Sequence, residues 1–405
     1  MRKSEDAVIP MHKNFNVTYV LGDEKILNEM KKLKRLSIFS PIAENFLDCW
    51  SKNILTNPDA RHYSDVATLG FWCRRSSIRQ MAQRYEALEN TLGRGVVFHI
   101  SPSNVAVNFA YSLIAALLSG NASIIRLPSK DFPQVDLLCH EMENALQNFP
   151  ELRHYILLVR YGHDKEVNDF FSSICDTRVI WGGDSSIREI RRSPLPSRAN
   201  EITFADRYSI AVIQSSEYLC SNAKEETAEA FYNDTYLTDQ NACSSPRIVV
   251  WLGDDTARAQ DLFWRHLHKI VKDRYVFQPV QSVDKLTNIY RMSVTCSIKM
   301  CDMPDNYITR VKVSHLDDNL MTYKMNSGFF MEYQAAVIEE MLPLCTERCQ
   351  TISCCGIEPE VVRNMIYQHG ASGGDRVVSF GQTMNFSLVW DGIDLICAMS
   401  RQIVG

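Results

Sequence analysis

An α/β fold is predicted for this chain, with a doubly wound parallel sheet and, after it, a second α/β domain. Three observations predict it. From Gly95 onward, short apolar, β-rich runs alternate with stretches of helical length, the pattern of a parallel sheet wrapped by helices. Stop and turn residues such as Gly120–Asn121 and Gly182–Gly183 punctuate the runs,. After residue 214 the alternation resumes around a small polar loop that holds Cys243.

Residues 1–94 read as a mostly helical packing region. Ile78, Met81, Tyr85, Leu88 and Leu92 recur at spacings of three and four, which puts them on one helical face,. Arg79, Arg84, Glu86 and Glu89 fall between them and stay in water. In the first sheet, residues 95–213, the expected strands are Val96–Ile100, Ser123–Arg126, Tyr155–Arg160, Arg178–Trp181 and Tyr208–Ile213. The expected helices between them are Val105–Leu118, Phe132–Leu146, Glu166–Ile174 and Ser186–Arg191, with Pro133 suited to a first turn,. Residues 214–375 read as the second domain, with helices at Ala223–Leu237 and Ala257–Val271 on either side of a strand at Ile248–Leu252. Residues 376–405 form a C-terminal segment that either returns to the first domain or serves oligomerisation.

Composition excludes several classes. With 405 residues, of which 45% are hydrophobic and 22% charged, the chain can bury large cores without disulfides or metal,. A net charge of −5 gives no reason to expect nucleic acid as a partner,. The 13 cysteines are odd in number and scattered from Cys49 to Cys397, and the charged start Met1–Asp6 lacks an apolar leader region,. Reduced thiols in the cytoplasm are the expectation. No apolar stretch reaches the roughly 18–20 residues of a membrane span. Cys345, Cys349, Cys354 and Cys355 cluster, but adjacent cysteines suit one tetrahedral zinc poorly, and His266 and His268 do not share a helical face,. No metal is expected.

Four segments carry chemistry. Cys243 stands in Thr-Asp-Gln-Asn-Ala-Cys-Ser-Ser-Pro, residues 238–246, just before a strand. Structural cysteines sit among large apolar neighbours, whereas a nucleophile needs access, room for an acyl group and nearby donors. The setting suggests covalent thioester chemistry; an inert loop thiol is the alternative. Asn104, in Ser-Pro-Ser-Asn after the first strand, either aims its amide at a ligand or caps the following helix,. Arg126, Ser129 and Lys130 end the second strand with basic and hydroxyl groups, and Asp131 is the acid among them. Basic groups at such a position favour a 2′-phosphate over a free ribose hydroxyl, if the loop is not merely solvated. Gly182 and Gly183, at a strand-to-helix turn, allow backbone N–H groups to approach a pyrophosphate, as they equally allow any tight turn,.

Taken in order, His99-Ile-Ser-Pro-Ser-Asn-Val105, Leu117–Asn121, Arg126–Asp131, Trp181–Gly183, Phe204–Ser209, Asp239–Pro246, Val377–Gln382 and Trp390–Gly392 resemble the aldehyde dehydrogenase superfamily. More closely they resemble its acyl-CoA reductase branch, the fatty acid reductase (LuxC) family. The resemblance spans about three quarters of the chain. It implies an aldehyde-dehydrogenase-like fold, with an NADP(H)-binding domain at 95–213 and a catalytic domain at 214–375. It makes Cys243 the nucleophile and Asn104 the oxyanion donor, and places Arg126 at the ribose-binding lysine. The Ser129–Lys130 neighbourhood replaces the ribose-binding glutamate, which favours NADPH. The water-activating Glu-Leu-Gly-Gly segment is absent: Thr203–Arg207 stands there, with Glu201 out of register. The implied reaction is reduction of acyl-CoA, or of an acylated partner protein, to an aldehyde by a homo-oligomeric enzyme.

Overall fold

The computed structural model describes residues 15–323 and 326–405, which form two compact units. Met1–Asp6, on which the expectation of no leader rests, lies outside the described residues. Among the described residues, no helix is long and apolar enough to cross a membrane.

The first unit holds the described residues up to Ala205 together with Asp394–Gly405. It opens with β1 (Thr18–Leu21), α1 (Glu24–Met30), α2 (Pro41–Thr56), α3 (Ser64–Trp72), α4 (Arg75–Gln83) and β2 (Thr91–Gly93). The alternating part follows as β3 (Val96–Ile100), α5 (Asn108–Leu118), β4 (Ala122–Arg126), α6 (Pro133–Leu146), β5 (Ile156–Arg160), α7 (Lys165–Ile174), β6 (Thr177–Trp181), α8 (Asp184–Ile190) and β7 (Asn200–Phe204). The sheet order is β1-β5-β4-β3-β6-β7. All its pairings are parallel except that of β1, which lies antiparallel on β5. Every residue of β3, β4 and β6 is buried, as strands covered on both faces require,. The chain leaves β3 toward β4 and β5, then returns to β6 on the other side of β3. That reversal makes the carboxyl ends of β3 and β6 a topological switch point, where doubly wound sheets take ligands,.

In the second unit, Asp206–Ile393, β8 (Tyr208–Gln214) leads to α9 (Ser215–Cys220), α10 (Lys224–Thr235), β9 (Pro246–Leu252), α11 (Thr256–Arg274) and α12 (Pro279–Thr295). Then come β10 (Ile298–Asp302), β11 (Thr309–Val313), β12 (Phe329–Ala335), β13 (Cys349–Cys355), α13 (Pro359–His369) and β14 (Arg376–Ser379). The order is β10-β11-β12-β9-β8-β13-β14, parallel except for β10. Alternate residues of β8 and β9 feed two cores. Ile210, Val212, Ile248 and Val250 face one with Met292 and Val362. Ala211, Ile213, Val249 and Trp251 face the other with Phe231 and Phe263. β15 (Val389–Trp390) and β16 (Ile393–Asp394) bracket Asp391–Gly392, and α14 (Leu395–Met399) and β17 (Ser400–Gln402) complete the chain.

Three elements differ from expectation. The strand Tyr208–Gln214 pairs with β9 and β13 in the second sheet, not with the first. A strand apolar on both faces suits the centre of either sheet, so its composition does not choose between them. The helix through Ile78 stops at Gln83, because Arg84 and Tyr85 close i→i+3 turns and Asn90 takes φ 52°. Leu92 belongs to β2, which pairs antiparallel with β17. The C-terminal segment divides: β14 lies in the second sheet, while α14 and β17 belong to the first unit. There the buried Asn121 donates from Nδ2 to the Met399 carbonyl at 2.9 Å and accepts from Gly95 N at 2.9 Å.

Candidate active site

The loop before β9 is held rigidly. A 3₁₀ turn, Tyr236–Thr238, ends α10, and Asp239 and Gln240 then take left-handed φ values of 51° and 59°. For residues with a Cβ that conformation costs about 1 kcal/mol each. The buried Gln240 side chain offsets it by clamping the start of β12. Its Nε2 donates to the Pro246 and Phe329 carbonyls at 2.8 and 3.1 Å, and its Oε1 accepts from Gly328 N and Phe329 N at 3.1 and 3.2 Å. The Tyr275 hydroxyl donates to Asp239 Oδ1 at 2.8 Å. The Ser209 hydroxyl donates to the Cys243 carbonyl at 2.7 Å and accepts from Thr351 N at 3.2 Å.

Cys243 is half-buried at the amino-terminal edge of the second sheet. Gln350 Nε2 donates to its Sγ at 3.3 Å and to Asp391 Oδ1 at 2.7 Å. Arg207 Nε lies 3.6 Å from Asp391 Oδ2, and its guanidinium also pairs with Asp375. Burial and the Asp391 charge push the Cys243 thiol up, against the Gln350 hydrogen bond and the Arg247 charge. Burial likewise raises the Asp391 carboxyl, against Arg207. The resting group is therefore a thiol beside a fixed N–H donor.

In the first unit, Asn104 is exposed on the loop between β3 and α5. Val107 is the N-cap of α5, so Asn104 does not cap that helix. Ser101 Oγ and Asn108 Oδ1, on either side of Asn104, are buried without hydrogen-bond partners. Across the switch point, Gly182 N donates to the Phe204 carbonyl at 3.2 Å, and Gly183 is the N-cap of α8. Arg126 is turned inward: its Nη2 donates to the Gly162 carbonyl at 3.0 Å, and the guanidinium lies 4.7 Å from the Tyr161 ring centre. Ser129 and Lys130 are exposed, with Lys130 Nζ 5.1 Å from the Phe132 ring centre. Asp131 pairs with Arg160 at 2.7 Å.

Glu201 sits in β7 with both carboxylate oxygens taken. Oε2 lies 2.5 Å from Arg178 Nη2, and Oε1 lies 2.7 Å from Arg191 Nε. The clustered cysteines are split by the strand pleat. Cys354 packs into one core and Cys355 against the other, while the Cys345 thiol donates to the Met341 carbonyl at 3.7 Å. His268 pairs with Asp305 at 2.5 Å.

Sequence reasoning missed Gln350, Asp391 and Arg207 as neighbours of the thiol. They come from three distant stretches, and Gln350 lies in the unremarkable run Cys-Gln-Thr. Arg207, in Phe204–Ser209, and Asp391, in Trp-Asp-Gly, belong to segments that carried the resemblance; Gln350 does not.

The architecture is similar to those of a solved dehydrogenase and a solved oxidoreductase. An NAD-dependent benzaldehyde dehydrogenase from Corynebacterium glutamicum has TM-score 0.60 and 14% identity, over 90% of this chain and 85% of that one. An oxidoreductase from Marinobacter aquaeolei has TM-score 0.65 and 11% identity, over 93% and 89%. Likeness at this identity carries the fold, which is aldehyde-dehydrogenase-like. The acyl-CoA reductase (LuxC) family model matches residues 69–401. The chain belongs to this family. Among curated LuxC relatives, the long-chain acyl-protein thioester reductase of Aliivibrio fischeri is 25% identical over 185 residues, 45% of this chain and 36% of the relative. That of Photobacterium phosphoreum is 22% identical over 250 residues, 59% and 49%. The chain thus spans about a third to a half of the length of the curated relatives it matches.

Proposed function

We propose that this LuxC-family chain reduces an activated acyl group, carried by CoA or by an acylated partner protein, to the aldehyde through a thioacyl intermediate on Cys243. The observation that carries the reading is the thiol itself, set on a braced loop with the Gln350 amide directed at its sulfur. The Cys243 sulfur attacks the donor carbonyl; its C–S bond forms as the donor C–S bond breaks, and the thiol proton leaves with the departing donor thiol. The oxyanion is assigned to the Asn104 amide and the Cys243 backbone N–H.

A dinucleotide would bind at the switch point, at the carboxyl ends of β3 and β6. Ser101 Oγ and Asn108 Oδ1 are buried there without partners, Gly182–Gly183 forms the opposite turn, and Ser129 and Lys130 are exposed at the end of β4. When bound, NADPH supplies the hydride that converts the thioester carbon to aldehyde. Lys130, the exposed cation, would meet its 2′-phosphate with Ser129, while the inward Arg126 stiffens the strand end. Cys243 departs as a thiolate and is reprotonated.

Hydrolysis of the intermediate is disfavoured, because Glu201 is held between two arginines, whose charges lower its basicity toward water,. A homo-oligomer in the cytoplasm is proposed as the working form; sedimentation and cell fractionation test it. The decisive experiment supplies a labelled acyl donor without NADPH. Label should accumulate on Cys243 in peptide mass spectra, and adding NADPH should release labelled aldehyde. Label on Cys345 or Cys349, or release of free acid, would remove this function.

A further inference from the structure

We propose that Gln350 is a further catalytic residue, which stabilises the Cys243 sulfur when it forms a thiolate, and that Asp391 and Arg207 are positioning residues that fix the direction of its amide. The proposal rests on the reading of Cys243 as nucleophile.

The backbone first aims Gln350. Along β13 and β8, Cys349 faces Tyr208 and Thr351 faces Ser209, and the register breaks between them at Gln350. A bulge of this kind re-aims one side chain in an otherwise regular strand. Gln350 is 2% exposed, so its amide must find partners inside the protein,. Its Nε2 finds two, the Cys243 sulfur and the Asp391 carboxylate.

Asp391 decides which end of the amide faces the sulfur. A primary amide turned by 180° exchanges a donor for an acceptor at nearly the same place. An oxygen presented to the sulfur would repel a thiolate. The Asp391 carboxylate only accepts, so it holds the N–H end on its own side, which is also the sulfur side. The carboxylate is in turn anchored by Arg207, which Asp375 holds from its other end. Asp391 is 5% exposed at its side chain and has φ 51°. A non-glycine residue kept in that conformation is held by its surroundings, and such strain gathers at working sites.

The charged groups that bear on the sulfur are Asp391 and Arg247. Those that bear on Asp391 are Arg207, Asp375 and Arg376. Asp391 therefore acts twice: directly its charge opposes the thiolate, and through Gln350 it supports it. The two effects are separable.

The test is the rate of Cys243 alkylation by iodoacetamide against pH, read by peptide mass spectrometry on the full chain. Gln350→Met should move the midpoint to higher pH and slow alkylation at pH 7 by about tenfold, the worth of one hydrogen bond to an ion. Gln350→Glu, of the same shape, should do the same; a folded protein from either variant suffices. Asp391→Asn should speed alkylation more in the Gln350→Met background than in the wild type, by at least about threefold, because only the wild type also loses the amide's direction. An unmoved midpoint in the folded Gln350 variants, or strictly multiplicative effects in the double variant, would overturn the proposal. Alkylation involves neither acyl donor nor cofactor. Failure of acyl labelling would therefore remove the proposed reaction and leave this result standing, and the converse also holds.

Discussion

At Asn104 the helix-cap explanation has a competitor in its own neighbourhood: Val107 holds the N-cap position, and the Asn104 side chain is exposed. Asn104→Ala should therefore leave the melting temperature nearly unchanged. As an oxyanion donor its loss should lower kcat by about 10²–10³, measured as a single-turnover rate on the same preparation. A normal rate would leave the oxyanion to the Cys243 backbone N–H. Lys130 tests the cofactor in the same way. Its charge is exposed, so a phosphate contact is screened and worth roughly 1 kcal/mol. Lys130→Ala should raise the KM for NADPH about fivefold and leave that for NADH unchanged. Equal KM values for the two cofactors in the wild type would contradict the 2′-phosphate assignment. These two side chains stood out in the sequence because small polar and basic residues near strand ends are chemically conspicuous. Arg126 was equally conspicuous, but its hydrogen bond to Gly162 depends on a loop 36 residues away.

At the scale of elements, β3 carries a built-in acid sensitivity. His99, fully buried in that strand, lies between the Ser112 hydroxyl at 2.7 Å and the Ser123 hydroxyl at 3.3 Å. Burial pushes its pKa down from 6.5 to about 3. The unfolded chain thus binds this proton more readily than the folded one. The stability His99 contributes is complete above about pH 6.5 and is lost as pH falls toward about 3,. Between pH 7 and pH 5 the loss should be about 2 kcal/mol, measured by urea unfolding. His99→Gln should flatten that limb; an unchanged slope would show that another group carries it. Element boundaries in the alternating region were readable to within a few residues, because helix and strand periods differ and turn residues separate them. The bulge at Gln350 was not readable, since it arises from pairing with β8 and not from any local preference of Cys-Gln-Thr.

At the scale of the whole molecule, the chain returns to its first unit after completing the second. Leu395, Ile396 and Met399 of α14 are buried, and Ser400 opposes Gly93 where β17 pairs with β2. Ile396→Ala should destabilise the first unit by about 2–5 kcal/mol, seen as a lower melting temperature and earlier exchange of the β2 and β17 amides. A change below about 0.5 kcal/mol would mean that the returning segment is dispensable to that core. The close approach of Gly93 to the Gly120 backbone fits the same junction, since a Cβ at Gly93 would run into the Gly120 carbonyl.

Local order along the chain was enough to determine an α/β fold and the place of Cys243 before a strand. Each of these depends on a few neighbouring residues and their spacing. Which sheet receives the strand Tyr208–Gln214, which groups surround the thiol, and whether Arg126 faces inward were decided by the tertiary structure. An apolar strand is acceptable to any buried sheet. Arg207, Cys243, Gln350 and Asp391 span 185 residues of sequence and meet only because β8, β9 and β13 lie side by side, with the Asp391 turn over their amino-terminal ends.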